Sequence, residues 1–273
     1  MAARLSLEHI TAWGLPPPAL IDLAADLDCE AVSLFVEAVN PESAGPSLVE
    51  DHTLRREVQA RLRATGVRLH TLECFAFTPD TAVKRFAPAL EAGAELGGKA
   101  ATAIVFDPDR ARTIDRVAAF AELALGFGIA VNVEFIARSE LRSLADALAL
   151  ARAIGVPGPG IVVDALHWTR SGGTVAELAA LDPALLGAVQ LCDGPAEMAP
   201  DLQLFHEGFL QRMIPGEGAF ALAAFVRALP PDRLIGVEVP LQDLADQGVP
   251  VEERARRAVA GARRVLGENG YDA

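Results

Sequence analysis

Residues 160–168 read GIVVDALHW. Ile161, Val162 and Val163 are β-branched and favour a strand. The run then meets a carboxylate, Asp164, with His167 three positions on. Either the strand stops there and Asp164 faces water, or Asp164 points into a site that needs it. The flanking sequence shows what kind of strand this is. SLADALALARAIG (143–155) precedes it, with apolar residues at helical spacing and a closing glycine where a left-handed cap is wanted. TVAELAAL (174–181) follows, and then a second strand-like run, LGAVQLCD (186–193). Strand, helix and parallel strand within about 30 residues make a βαβ unit.

The rhythm extends in both directions. RLSLEHI (4–10), EAVSLFVE (30–37), VRLHTLECF (67–75), AATAIVFD (100–107), AVNVEFI (130–136) and RLIGVEVP (233–240) bring the strand-like runs to eight. Ala/Leu/Arg-rich helical stretches separate them, and VEERARRAVAGARRVLG (251–267) ends the series. Eight strand–helix units in 273 residues predict an α/β fold, a (β/α)8 TIM barrel, as a single domain over residues 1–273. A doubly wound open sheet is the rival. It has fewer strands and often a glycine-rich first turn, whereas the first turn here, TAWGLPPP (11–18), has no G-x-G-x-x-G. The stretch 194–218 is too long for an ordinary loop. In a barrel it lies over the active-site end, where Phe205 and Phe209 are expected to exclude water.

Bulk properties narrow the function. The net charge of −13 argues against nucleic acid, whose phosphates need a basic face, and against an anionic membrane surface. No run of 18 or more apolar residues appears, and MAARLSLEHI (1–10) lacks a long apolar segment, so a cytoplasmic location is the expectation. Cys29, Cys74 and Cys192 are widely spaced and form neither a zinc pattern nor a disulfide framework. The only lysines, Lys84 and Lys99, are poorly placed for Schiff-base chemistry.

In barrel enzymes the chemistry sits at the C-terminal strand ends. Side chains alternate along a strand. Asn132 and Glu134 share one face of the fifth run, Val162 and Asp164 one face of the sixth, Gln190 and Cys192 one face of the seventh, and Gly236 and Glu238 one face of the eighth. The opposite faces are large and apolar and suit the helix layer. Four consecutive strands therefore aim an oxygen-bearing side chain inward near one end. A single acid at a strand end is ordinarily a helix cap or a solvated residue; matched parity on four strands is what points to a site. Three carboxylates converging in a low-dielectric mouth repel one another, and no lysine is placed to compensate. A divalent cation on Glu134, Asp164, Gln190 and Glu238 meets the need. The all-oxygen donor set suits magnesium or manganese, with cobalt or zinc as the other options. His167 stands behind this set or contacts substrate. His70 is mid-strand, either a satisfied core histidine or a substrate contact.

VNVEF (131–135), VVDALHWTRSGG (162–173), VQLCDGP (189–195), RMIPGEG (212–218) and GVEVP (236–240) resemble the xylose-isomerase-like sugar isomerase/epimerase barrels. The resemblance covers nearly the whole chain. It implies metal ligands at Glu134, Asp164, Gln190 and Glu238, with Glu134 and Glu238 doubling as acid and base and with His167 and Arg212 on substrate oxygens. Many ketose 3-epimerases of this type have histidine on strand seven, where this chain has Gln190. Glutamine there, followed by Asp193, Pro195, Arg212 and the PGEG turn at 215–218, resembles bacterial 3-dehydroshikimate dehydratases and adds Asp193 to the candidate substrate contacts.

The expected activity is that of a divalent-metal-dependent isomerase or epimerase on a small hydroxy-ketone, ketose-like substrate. A carboxylate removes the α-proton and the metal stabilises the enediolate. The alternative is a 3-dehydroshikimate dehydratase-like lyase on the same metal site. Barrels of this kind often dimerise, so a homodimer is compatible with the resemblance. An endonuclease IV-like DNA repair enzyme, rich in histidine ligands and basic, runs against five histidines and the acidic charge. A non-catalytic binding barrel is the remaining rival, and it would bind no divalent metal.

Overall fold

A computed structural model describes residues 3–36, 47–156, 158–198 and 204–271. Eight parallel strands close into a barrel in sequential order: β1 Arg4–Leu7, β2 Ala31–Phe35, β3 Arg68–Phe77, β4 Ala100–Val105, β5 Ala130–Glu134, β6 Gly160–Asp164, β7 Leu186–Leu191 and β8 Leu234–Val237. The helices are α1 Pro17–Asp26, α2 His52–Thr65, α3 Ala87–Glu95, α4 Arg110–Leu125, α5 Leu144–Ile154, α6 Ala165–Arg170, α7 Val175–Ala179, α8 Leu204–Leu210, α9 Leu222–Ala228, α10 Gln242–Asp246 and α11 Val251–Glu268. Both the fold class and the eight-unit rhythm agree with the sequence reading. Among the described residues no helix is long and apolar enough to cross a membrane.

Local chemistry explains the punctuation. Gly66 ends α2 at φ 77°, a backbone conformation costly for a side chain bearing a Cβ. Asp51, Asp109 and Ser143 cap α2, α4 and α5 by accepting backbone N–H bonds that the first turn leaves open. The main core lies between the sheet and the helix ring: Phe75, Phe77, Phe86 and Phe120 stack edge-on and tilted with centroids 4.9–5.5 Å apart.

The barrel interior is unusually polar. Ser6, Ser33, Thr71, Thr102 and Asn132 are all buried in it. Asn132 on β5 lies across the backbones of Gly160 and Gly187; a Cβ on Gly187 would fall 1.9 Å from Asn132 Oδ1. Two glycines on β6 and β7 thus make room for one long polar side chain. β3 carries an extra residue, since Leu72 pairs with Ala101 but Phe75 pairs with Ala103. This bulge resets the alternation, so that Glu73 and Cys74 both reach the interior mouth while Phe75 turns to the helices.

Candidate active site

Asp164 does two things at once. It ends β6 and caps α6: its Oδ1 accepts from the N–H groups of Leu166 at 2.7 Å and His167 at 3.1 Å. Its Oδ2 faces inward and accepts from Arg212 Nη1 at 2.6 Å. Oxygens of Glu134, Asp164 and Glu238 lie within 4.8 Å of one another. Gln190 on β7 stands in register between Asp164 and Gly236. Its Oε1 is buried with no hydrogen-bond partner. Arg212 Nη2 lies 3.0 Å from Glu238 Oε2, an ion-pair contact without hydrogen-bond alignment, so that oxygen also lacks a donor.

The electrostatics follow from burial. Three carboxylates face one guanidinium. Burial, then the Asp164 charge, pushes Glu134 up to about 8. Burial also carries Glu238 well above the usual range, against the pull of Arg212. For Asp164 the upward push of burial is outweighed by Arg212 and then by His167, so it stays below the ordinary carboxylate range. The cluster is thus short of positive charge, and burial favours protons on Glu134 and Glu238. An oxygen-seeking divalent cation fits the same donors: three converging carboxylates and two buried oxygens without hydrogen bonds. Its binding would release those protons.

The other expected residues divide. His167 joins the cluster, with Nε2 3.5 Å from Glu134 Oε1, and burial lowers it to about 4, leaving a neutral ring. Arg212 reaches the site, but as the partner of Asp164 and Glu238 rather than as a free cation. As expected, no lysine answers the carboxylates; a guanidinium does. Asp193 does not face the cavity. Its carboxylate accepts from the N–H groups of Gly194 at 2.8 Å, Gly216 at 2.9 Å and Phe220 at 3.0 Å, pinning both ends of the segment after β7. His70 lies at the opposite, N-terminal end of the barrel, in a cavity with Gly66, Val67, Gly97 and Lys99, and is not a contact of this site. His9 is used up locally: its Nδ1 accepts from Phe35 N–H at 3.1 Å, with Nε2 3.4 Å from Leu15 O.

Two acids went unread in the sequence. Glu8, just past β1, is buried, and its Oε1 lies where a Cβ on Gly236 would be only 2.6 Å away. Burial raises it to about 7. Glu73 lines the cavity and accepts from Thr102 Oγ1 at 3.4 Å, and burial holds it well above the ordinary range. Glu8 shares the inward parity of Ser6, so the alternation rule could have found it. Burial raises the thiols of Cys74 and Cys192 far out of the nucleophilic range.

A cavity opens above the cluster, lined by Glu73, Glu134, His167, Arg212 and Glu238 and walled by apolar residues. Phe209 of α8 is among them, as expected of a cover; the side chain of Phe205 lies outside the described residues. Arg170 ties the cover down, bonding Glu207 through Nε at 2.9 Å and Pro195 O through Nη2 at 3.0 Å. It is committed to that role.

Several known proteins share this architecture. The IOLI protein, solved with a bound zinc atom, superposes with a TM-score of 0.82 at 15% identity, over 97% of this chain and 99% of that one. The probable 3-DHS dehydratase AsbF of Bacillus anthracis gives 0.73 at 14% identity, over 93% and 97%. D-allulose 3-epimerase from Methylomonas sp. gives 0.70 at 16% identity, over 96% and 97%. At such identities the likeness is one of fold. No curated protein matches the sequence significantly. The family model described as xylose isomerase-like TIM barrel matches residues 21–264, and the chain belongs to that family.

Proposed function

We propose that this protein is a divalent-metal-dependent enzyme of the isomerase/epimerase type, acting on a small hydroxy-ketone by removal of the proton next to the carbonyl. The observation that carries the reading is the convergence of Glu134, Asp164 and Glu238 within 4.8 Å beside the unpartnered oxygen of Gln190. These four residues would hold the cation. When bound, a divalent ion supplies Lewis-acid polarisation of a carbonyl oxygen. Manganese or magnesium suits the all-oxygen donors; a structural neighbour carries zinc.

The protein's own groups then have distinct tasks. Glu134 and Glu238 come from strands on either side of Asp164 and serve as base and acid, one taking the α-proton and the other returning a proton. The neutral His167 ring, 3.5 Å from Glu134, steadies that carboxylate without adding charge. Arg212 holds Asp164 and Glu238 in place. Phe209 and the segment pinned by Asp193 keep water from the reacting carbon.

A dehydratase of the 3-dehydroshikimate type is the second reading, favoured by Gln190 on β7 and by the fold likeness to AsbF. It needs a cation for the substrate carboxylate, and the single guanidinium that the described residues place in the cavity wall is already paired twice.

Elemental analysis tests the proposal, with the Glu134→Gln/Glu238→Gln double variant beside the wild type. Stoichiometric manganese, magnesium, cobalt or zinc that drops in the variant supports it. No metal in either protein after reloading refutes it.

A further inference from the structure

The cavity has two unlike halves. Its floor is the carboxylate cluster. Its wall is Ile10, Phe35, Ile104, Ile136 and Phe209. Ile104 and Ile136 form a small apolar cluster of their own at the mouth, separate from the main core, packed with Cys74, Ala76 and Met198. The one charged-type side chain that the described residues add to that wall, Glu73, is an acid.

The charges decide what such a space can hold. Among the described residues Arg212 is the only Lys or Arg lining it, and all three guanidinium nitrogens are engaged: Nε donates to Gly208 O at 2.8 Å, Nη1 to Asp164 at 2.6 Å, and Nη2 meets Glu238 at 3.0 Å. Arg138, in the loop after β5, is exposed and lies outside the lining. The stretches 37–46 and 199–203 contain no Lys, Arg or His. With a divalent ion in place, three carboxylates are balanced by that ion and Arg212, with no surplus positive charge. A phosphate or carboxylate entering here would lose its hydration and find, among the described lining residues, no cationic side chain beyond the already paired Arg212. A chain of hydroxyls would find hydrogen-bonding side chains at the floor and at Glu73, but isoleucine and phenylalanine over the rest of the described wall.

We propose that the substrate is an uncharged α-hydroxy-ketone with an apolar ring or alkyl portion, its hydroxy-ketone head toward Glu134 and Glu238 and its apolar portion against Phe35, Ile104, Ile136 and Phe209. This rests on the proton-transfer reading above. In the partial reaction, a carboxylate takes the α-proton and a solvent deuteron returns to the same carbon, so the ketone is recovered labelled.

The test is α-deuterium exchange followed by NMR in D2O with the manganese-reloaded protein. The probes are 2-hydroxycyclohexanone, fructose, dihydroxyacetone phosphate and 3-dehydroshikimate, each also titrated by calorimetry. The expected result is exchange of 2-hydroxycyclohexanone faster than the other three by about tenfold or more. The Ile136→Arg variant, which puts a cation in the wall, should shift that ratio about tenfold toward the two anions. Equal or faster exchange of an anion or of fructose by the wild type overturns the substrate class and leaves the proton-transfer reading standing. Calorimetric binding of 2-hydroxycyclohexanone alone, without exchange, supports the substrate class and refutes the proton-transfer reading. No binding of 2-hydroxycyclohexanone by a metal-loaded protein overturns the substrate class.

Discussion

Replacing Arg212 by methionine keeps the bulk of the side chain and removes its charge. Arg212 is buried, and it is the sole guanidinium between Asp164 at 2.6 Å and Glu238 at 3.0 Å. Removing one partner of a buried ion pair leaves an uncompensated charge and costs about 3–5 kcal/mol. At about 2–4 °C per kcal/mol for a domain near this size, the metal-free Arg212→Met protein should melt roughly 10 °C below the wild type at pH 7. The pH dependence identifies the cause. Asp164 is held below its ordinary pKa in the folded state, so its contribution is present above the unfolded value of about 3.9 and is lost as pH falls through the lower folded value. The gap between variant and wild type should therefore be full at pH 7 and shrink below about pH 4. Urea unfolding of metal-free protein followed by circular dichroism measures both. Added manganese should narrow the gap by supplying the missing positive charge. A loss under about 1 kcal/mol at pH 7, well below the range for a broken buried pair, would refute the role assigned to Arg212.

Three further outcomes follow from the same geometry. Asp193→Ala frees three backbone N–H groups and should cost about 3 kcal/mol, with faster hydrogen exchange and proteolysis confined to 194–220; unchanged exchange there would contradict the anchor role. Glu8 holds its proton up to about pH 7 in the folded chain against about 4.5 unfolded, so metal-free stability should fall as pH rises between those values. Glu8→Gln should flatten that slope by about 3 kcal/mol in urea titrations at pH 5 and pH 8, and an unaltered slope would show that Glu8 is not its source. Gly187→Ala drives a Cβ into Asn132 and should cost about 1–3 kcal/mol; adding Asn132→Ser should recover much of it in thermal unfolding, and a purely additive double variant would place the strain elsewhere.

The contrast between Glu8 and Glu73 shows where legibility in the sequence ends. Strict alternation from Ser6 carries Glu8 inward, so β1 holds a readable signal of the same kind as β5 to β8. Glu73 sits on a bulge, and the extra residue between Leu72 and Phe75 breaks the period-two pattern that any parity rule needs. His70 belongs to the same strand, but its position near the strand's start places it at the far end of the barrel. Distance from the strand end, as much as face, decides whether a residue meets the site.

By itself the sequence determined the barrel, because eight alternations of β-branched runs and helical stretches admit few other closed arrangements. It also determined that Glu134, Asp164, Gln190 and Glu238 share the inner face, since alternation along a strand is a local property of the backbone. Only the tertiary structure decided how those groups are charged and what surrounds them. Arg212 lies 48 residues beyond Asp164, on the segment that closes over β7 and β8, and no local rule brings it between two carboxylates. The same segment takes Asp193 away from the substrate and sets it under three backbone amides. The apolar wall joins residues from β4, the β5 loop and α8, so its chemistry exists only once the barrel has closed. Burial and long-range pairing are properties of the assembled fold, and they turn a row of strand-end acids into a site with a particular charge and a particular kind of guest.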